Sequence, residues 1–139
     1  MPVKTGKISL SSKGFTQMFD ITERVDGHLR KSGIKDGIVT VFVPGSTGAV
    51  TTVEYESGLI ADVPEILEKL IPYKGRYEHD ATWGDANGAS HLRSTIMGPS
   101  LTVPVTGGKM TLGTWQQIVF IDFDTKPRQR ELVVQIVGE

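Results

Sequence analysis

The chain has 139 residues, 38% of them hydrophobic, which suits one domain around one core. Its 15 Lys and Arg nearly balance 16 Asp and Glu, leaving no net field to gather nucleic acid or an anionic membrane. The absence of cysteine excludes disulfides, thiolate nucleophiles and Cys-ligated metal centres, so any metal would need His, carboxylate, amide or water ligands.

The opening MPVKTGKISLSSKG lacks the apolar core and small-residue cleavage site of a secretion signal. No window reaches the ~20 apolar residues of a membrane helix, so a cytoplasmic protein is expected. Val3 to Ser11 and Phe15 to Ile21 alternate as half-buried strands around Lys13-Gly14 and predict a hairpin. Val25 and Leu29, followed by Ser32-Gly33, predict a short amphipathic helix with a glycine C-cap. His28 reads as a surface residue on that helix, favourable to the helix dipole.

Gly37 to Pro44 (GIVTVFVP) is the most strand-like run and reads as central in its sheet. Ala49 to Tyr55 follows as another strand, with Thr52 and Glu54 on one face. Ile60, Val63, Leu67 and Leu70 stand at helical spacing, with Pro64 placed in the first turn. Tyr73 to Trp83 shows no period, and a second helix is expected from about Asp85 to Met97. Beyond Gly98-Pro99, the runs LTVPV, KMTL, WQQIVFIDF and ELVVQIVG predict three or four antiparallel strands. Strands at both ends with helices between them indicate an α+β fold, a mostly antiparallel β-sandwich with two to three helices.

The metal-capable side chains concentrate between Glu78 and His91. His79 and His91 flank Asp80, Asp85 and Asn87, and a helix over this segment would stack Asn87 and His91 on one face. Two imidazoles and a carboxylate with an open position would suit Zn²⁺ or another divalent ion. The same Gly-Asp-Ala-Asn stretch also reads as a capping turn, with Asp85 accepting backbone N–H groups.

Gly45-Ser46-Thr47-Gly48 is either an ordinary turn or a source of amides and hydroxyls for an anion. Glu54 is either a general base or a solvated strand carboxylate. Thr114, Trp115 and Gln116 would place a stacking surface at a pocket rim, with a core anchor as the other reading of Trp115. Arg128 and Arg130 alternate on one strand face and would bind an anion or decorate an edge strand.

Taken together, VFVPGST, EYE, YEHDATWGDANGASHL, IMGPSLTVPV, LGTWQQIVFIDFD and PRQR come in an order and spacing that resembles the YjbQ family over nearly the whole chain. The resemblance implies an α+β β-sandwich with helices, a homotrimer with sites near subunit boundaries, and a phosphorylated small molecule as ligand. It also implies a weak thiamine-phosphate-synthase-type activity, a condensation with loss of pyrophosphate, assisted by a divalent metal such as Zn²⁺ or Mg²⁺. A non-catalytic small-molecule or anion-binding trimer is the alternative. Carried over, the family's polar cluster falls on Glu54, His79, Asp85, Asn87 and His91, with Ser46, Thr47, Thr114, Gln116 and Arg128 behind it; His79 and His91 are the metal candidates. The family's usual His-Thr-Thr after the proline is Gly45-Ser46-Thr47 here, so one imidazole is missing.

Overall fold

The computed structural model describes residues 1–139 as two sheets and four helices. In chain order these are β1 (Val3–Ser12), β2 (Gln17–Asp20), α1 (Thr22–Ser32), β3 (Gly37–Phe42), β4 (Gly48–Val53) and α2 (Ser57–Leu70). They continue as α3 (Glu78–Trp83), α4 (Gly88–Met97), β5 (Ser100–Thr106), β6 (Lys109–Met110), β7 (Gln117–Asp122) and β8 (Arg128–Gly138).

A five-stranded antiparallel sheet runs β1-β8-β3-β5-β6, and a three-stranded one runs β2-β7-β4. The predicted hairpin is corrected here: β1 pairs with β8 and β2 with β7, so consecutive strands enter different sheets. The turn between them explains the split. Gly14, Phe15 and Thr16 all take positive φ, and the Phe15 and Thr16 amides donate to the carbonyls of Asp124 and Asp122. Each of those non-glycine residues carries a backbone cost of about 1–2 kcal/mol.

The period-2 alternation of the strands sets the layers. Val39, Val41, Leu132, Val134 and Ile136 of the large sheet face Val50, Ile118 and Phe120 of the small one, and Val25 and Leu29 of α1 join this core. The opposite face of the small sheet, Ala49, Val119 and Ile121, packs against Leu67 and Val63 of α2 and Met97 of α4. The small sheet is therefore apolar on both faces, which accounts for the unbroken apolar run Ile118 to Ile121 in β7. As the hydropathy pattern indicates, β3 is central.

Three helix boundaries differ from expectation. Helix α2 starts at Ser57, because the Glu56 carboxylate accepts the amides of Gly58 and Leu59, so Pro64 lies inside the helix rather than in its first turn. The aperiodic stretch contains α3, which is too short to show a period and ends on Gly84 in the left-handed conformation. Helix α4 begins at Gly88, three residues later than expected, and with α3 added the helices number four rather than two or three. No helix is long and apolar enough to cross a membrane.

One polar contact joins the two sheets. Arg130 on β8 points into the end of the core and donates from Nε and Nη2 to both oxygens of Asp122 on β7, at 2.9 and 2.8 Å. Both residues are buried. Hydrogen bonds to Asp122 outweigh the burial of the guanidinium and raise its pKa above the ordinary arginine value. Removing one partner strands the other charge, so Asp122→Ala is expected to cost about 3–5 kcal/mol in urea unfolding. The Asp122→Leu/Arg130→Met double variant should recover most of that loss.

Candidate functional site

Helices α3 and α4 meet at nearly one point. The connection Gly84 to Asn87 is short, and Asp80 Oδ1 accepts the Gly88 amide at 2.8 Å, so a carboxylate from α3 caps the first turn of α4. A side chain at Gly88 could not fit, since its Cβ would come within 2.7 Å of Tyr77 Cβ. This close approach brings His79 on α3 beside His91 on α4, with ring centroids 4.5 Å apart and planes inclined by 55°. His79 thus sits on a helix, not on the loop that its aperiodic surroundings suggested.

The Nε2 atom of His79 lies 2.9 Å from Asn87 Oδ1 and 3.3 Å from Asp85 Oδ1. Two acceptors converge on that nitrogen, which makes Nε2 the donor to them. Asn87 is the residue before α4, but its side chain serves His79 instead of capping the helix. Asp85 serves His79 as well, so the capping reading of this stretch passes to Asp80. His79 and His91 are half-buried, and Asp85 is exposed.

No group of three or more His, Asp or Glu gathers in a metal-binding arrangement. Two imidazoles with an already bonded Nε2 form at most half a centre, so the residues of one chain do not fit a divalent ion without further ligands.

Helix α4 also packs against β4, which the loop Pro44 to Thr47 precedes. Two contacts align α4 with β4: Ser94 Oγ donates to Gly48 O at 2.6 Å, and Val50 N donates to Gly98 O at 3.2 Å. Ser90 lies one helical turn before Ser94, on the face of α4 turned to β4. Ser90 is fully buried, and its hydroxyl has no hydrogen-bond partner. Ser46 and Gly45 are exposed, whereas Thr47 is buried.

Thr47 Oγ1 accepts from Arg130 Nη2 at 2.7 Å and donates to Asp124 Oδ2 at 3.1 Å, and Arg128 Nε bonds the same carboxylate. Burial acts to raise the Asp124 pKa, but hydrogen bonds from Arg128 and Thr47, with the Arg128 charge, win and lower it. Nη1 of Arg130 bonds no protein atom and points at Gly45, where a Cβ would stand 3.3 Å away. Gly45 has φ +129°, a conformation that L side chains rarely adopt. The glycine that replaces the expected histidine is thus tied to its backbone as well as to the room it leaves.

The remaining sequence candidates lie elsewhere in this chain. Glu54, Thr114 and Gln116 line a separate hollow of about 400 Å³ with Trp115, at the far end of β4 from Thr47. Gln116 Nε2 donates to Thr52 Oγ1 at 3.1 Å. Trp115 is exposed rather than a core anchor, because the Gly113 to Gln116 turn carries it off the end of β7. Arg128 and Arg130 do share one face, but β8 lies between β1 and β3 rather than at an edge.

Sequence reasoning did not single out Arg93. This residue is 1% exposed and donates to Ile71 O, Thr16 Oγ1 and Glu68 Oε2, with its guanidinium 3.9 Å from the Tyr73 ring centroid. The signal was its helical spacing from Ala89 and Ser90, which puts a cation on the face of small residues. Asp122 at the end of β7 and Asp124 just beyond it were equally legible as charges in a buried apolar run, where a partner is required.

With this geometry established, similarity to known proteins decides the family. The family model described as UPF0047 protein YjbQ-like matches residues 6–139. This chain belongs to that family. It is 42% identical to a UPF0047 protein of Methanothermobacter thermautotrophicus, covering 100% of this chain and 95% of that one. A UPF0047 protein of Archaeoglobus fulgidus is 40% identical over 93% of this chain and 98% of its own length. Among solved structures, a protein of unknown function from Sulfolobus solfataricus superposes with TM-score 0.94 at 33% identity, covering 99% of both chains. A hypothetical protein from Aeropyrum pernix gives 0.91 at 35% identity, covering 98% and 99%. Family membership and the α+β fold are as the sequence motifs implied.

Two measurements test this geometry. Long-range ¹H–¹⁵N spectra of the neutral protein should show His79 protonated on Nε2, and Asn87→Ala with Asp85→Ala should redistribute the proton between the ring nitrogens. Because the folded pKa of Asp124 is depressed, its contribution to stability is full above the unfolded value of ~3.9 and is lost as pH falls through the folded value. Acid unfolding of Asp124→Asn should lack that component.

Proposed function

We propose that this protein binds a phosphorylated small molecule between the α3–α4 junction and the Pro44 to Thr47 loop, with the imidazole pair facing its reactive end. The observation that carries the reading is the His79–His91 pair at 4.5 Å, one ring held by an amide and a carboxylate and the other free of both. Such a pair can accept and return a proton at adjacent positions. Support for an anionic group at the loop comes from Arg130 Nη1, directed at Gly45, and from the exposed Ser46 next to it. Two acids back the guanidinium and hold its orientation without using Nη1.

The reaction that suits this arrangement is the condensation implied by the family resemblance, thiamine-phosphate-synthase-type transfer with loss of pyrophosphate. His91 would donate a proton to the departing diphosphate, and the phosphate of the second substrate would lie at Arg130 and Ser46. A Mg²⁺ or Zn²⁺ ion would have to take ligands from the diphosphate or water as well as from His79 or His91. Self-association as a homotrimer is part of the proposal. It draws support from the outer face of the large sheet, which no helix covers and where Ile38 and Phe42 are exposed. The hollow with Glu54 and Trp115, open at the surface of one chain, would then be available to a neighbouring subunit.

A non-catalytic binding protein is the second reading, favoured by Gly45 at the position of the missing imidazole. Calorimetry with hydroxymethylpyrimidine phosphate and turnover with the diphosphate and thiazole phosphate separate the two. Enzyme action requires turnover above buffer that falls at least about a hundredfold in His91→Ala, within the usual range for a lost acid or base. Binding without turnover, weakened by His79→Ala, selects the second reading. Failure to bind either phosphate overturns both. Gly45→Ala should cost about 1–3 kcal/mol of stability through its backbone and weaken phosphate binding by crowding Arg130.

A further inference from the structure

On the side of the molecule away from α3 and α4, helix α1 lies along the edge strand β1. Two adjoining hollows of about 350 and 260 Å³ separate them, and both are lined by His28 and Lys31. Lys4, Lys7 and Arg24 complete the cationic lining, and no Asp or Glu belongs to either hollow. Of the lining cations, Lys7 has a carboxylate partner in Glu131 at 3.5 Å, both side chains being exposed. A chain of net charge −1 thus gathers four cations and an imidazole in one groove.

The cations are placed, not merely adjacent. Arg24 Nη1 donates to Ser9 O at 2.9 Å, and His28 Nε2 lies 3.2 Å from Lys7 O, so two side chains one helical turn apart are fastened to the free edge of β1. His28 can lie there because residue 6 is glycine: a Cβ on Gly6 would sit 2.4 Å from the ring. The carbonyls of Lys7 and Ser9 are thereby occupied, which disfavours strand addition along this stretch of β1.

Gly27 supplies the second observation. It stands in the interior of α1, where glycine costs about 0.5–1 kcal/mol relative to alanine, and no contact explains it, since the nearest atom to its Cβ position is 3.9 Å away. Gly27 lines the larger hollow, on the same helical stripe as Arg24, His28 and Lys31. A side chain there would project into the groove.

We propose that this groove binds a compact polyphosphate anion, with Lys4, Lys7, Arg24 and Lys31 as its cations, the His28 imidazole beside them, and Gly27 as the clearance that lets the anion approach the helix. No Phe, Tyr or Trp lines it, and the one ring present, His28, is fastened to Lys7 O, so nucleic-acid bases would find little stacking surface. The inference is independent of the imidazole site.

The test is calorimetry of the full chain with sodium tripolyphosphate at about 50 mM and about 200 mM salt. One site whose affinity falls with salt is expected, weakened at least about tenfold in Lys31→Glu through loss of a charge-assisted contact. Gly27→Leu should also weaken it about tenfold while raising the melting temperature, because helix propensity improves. His79→Ala should leave it unchanged. The proposal is overturned if affinity is the same in Lys31→Glu, or if Gly27→Leu folds and binds as the parent does. Loss of binding in His79→Ala, or a preference for single-stranded oligonucleotide or anionic vesicles over tripolyphosphate, also overturns it.

Discussion

The bidentate pair between Arg130 and Asp122 is the constraint on which the rest of this molecule depends. An open sandwich needs something at its ends, and apolar side chains fill only the middle of this one. Here an ion pair closes the end, with both charges taken out of water and every short contact to the guanidinium supplied by β7 or by Thr47. Such a pair gains little over an apolar substitute, yet it tolerates only one register of β8 against β7. A slip of one residue would turn Arg130 outward and leave Asp122 alone in the core.

From that pair the order spreads outward through shared atoms. Thr47 passes it to Asp124, Asp124 fixes Arg128, and the carbonyls of Asp122 and Asp124 hold the left-handed turn at Phe15 and Thr16. Thr16 in turn receives Arg93, whose other bonds secure Ile71 and Glu68 at the end of α2. Its Oγ1 accepts from Arg93 and so donates to Tyr73, whose hydroxyl donates to Phe123 O. Burial pushes the Tyr73 phenol up, against the lowering effect of the Thr16 bond and the Arg93 charge. The two helices that carry the imidazoles are thereby referred to the sheet through polar contacts, with the apolar layer beneath α2 and α4 supplying adhesion.

The strands were legible because their alternation records a real difference between faces, and β3 announced its central place through its β-branched residues. Pairing was not legible: β1 and β2 read as neighbours along the chain, and only the turn at Phe15, held by distant carbonyls, sends them to separate sheets. Helix α2 was shortened by reading Pro64 as a first-turn residue, since the capping role of Glu56 lies outside any hydrophobic period. The site was legible in part. Density of His, Asp and Asn located the α3–α4 junction, but spacing could not reveal that α3 is helical or that Asp80 rather than Asp85 caps α4. Glu54, Thr114 and Gln116 share a hollow as their chemistry suggested, one strand length away from the loop they were grouped with.

The place of β8 has a consequence for how the chain reaches this structure. The last strand lies between the first and the third, so β1 is held in its sheet only by residues more than a hundred positions later. Until β8 arrives, β1 has no partner and the core has no Leu132, Val134 or Ile136. A nascent chain therefore carries unpaired edges and an unfilled interior until β8 has emerged from the ribosome. Assembly is then limited by closing the longest loop in the molecule.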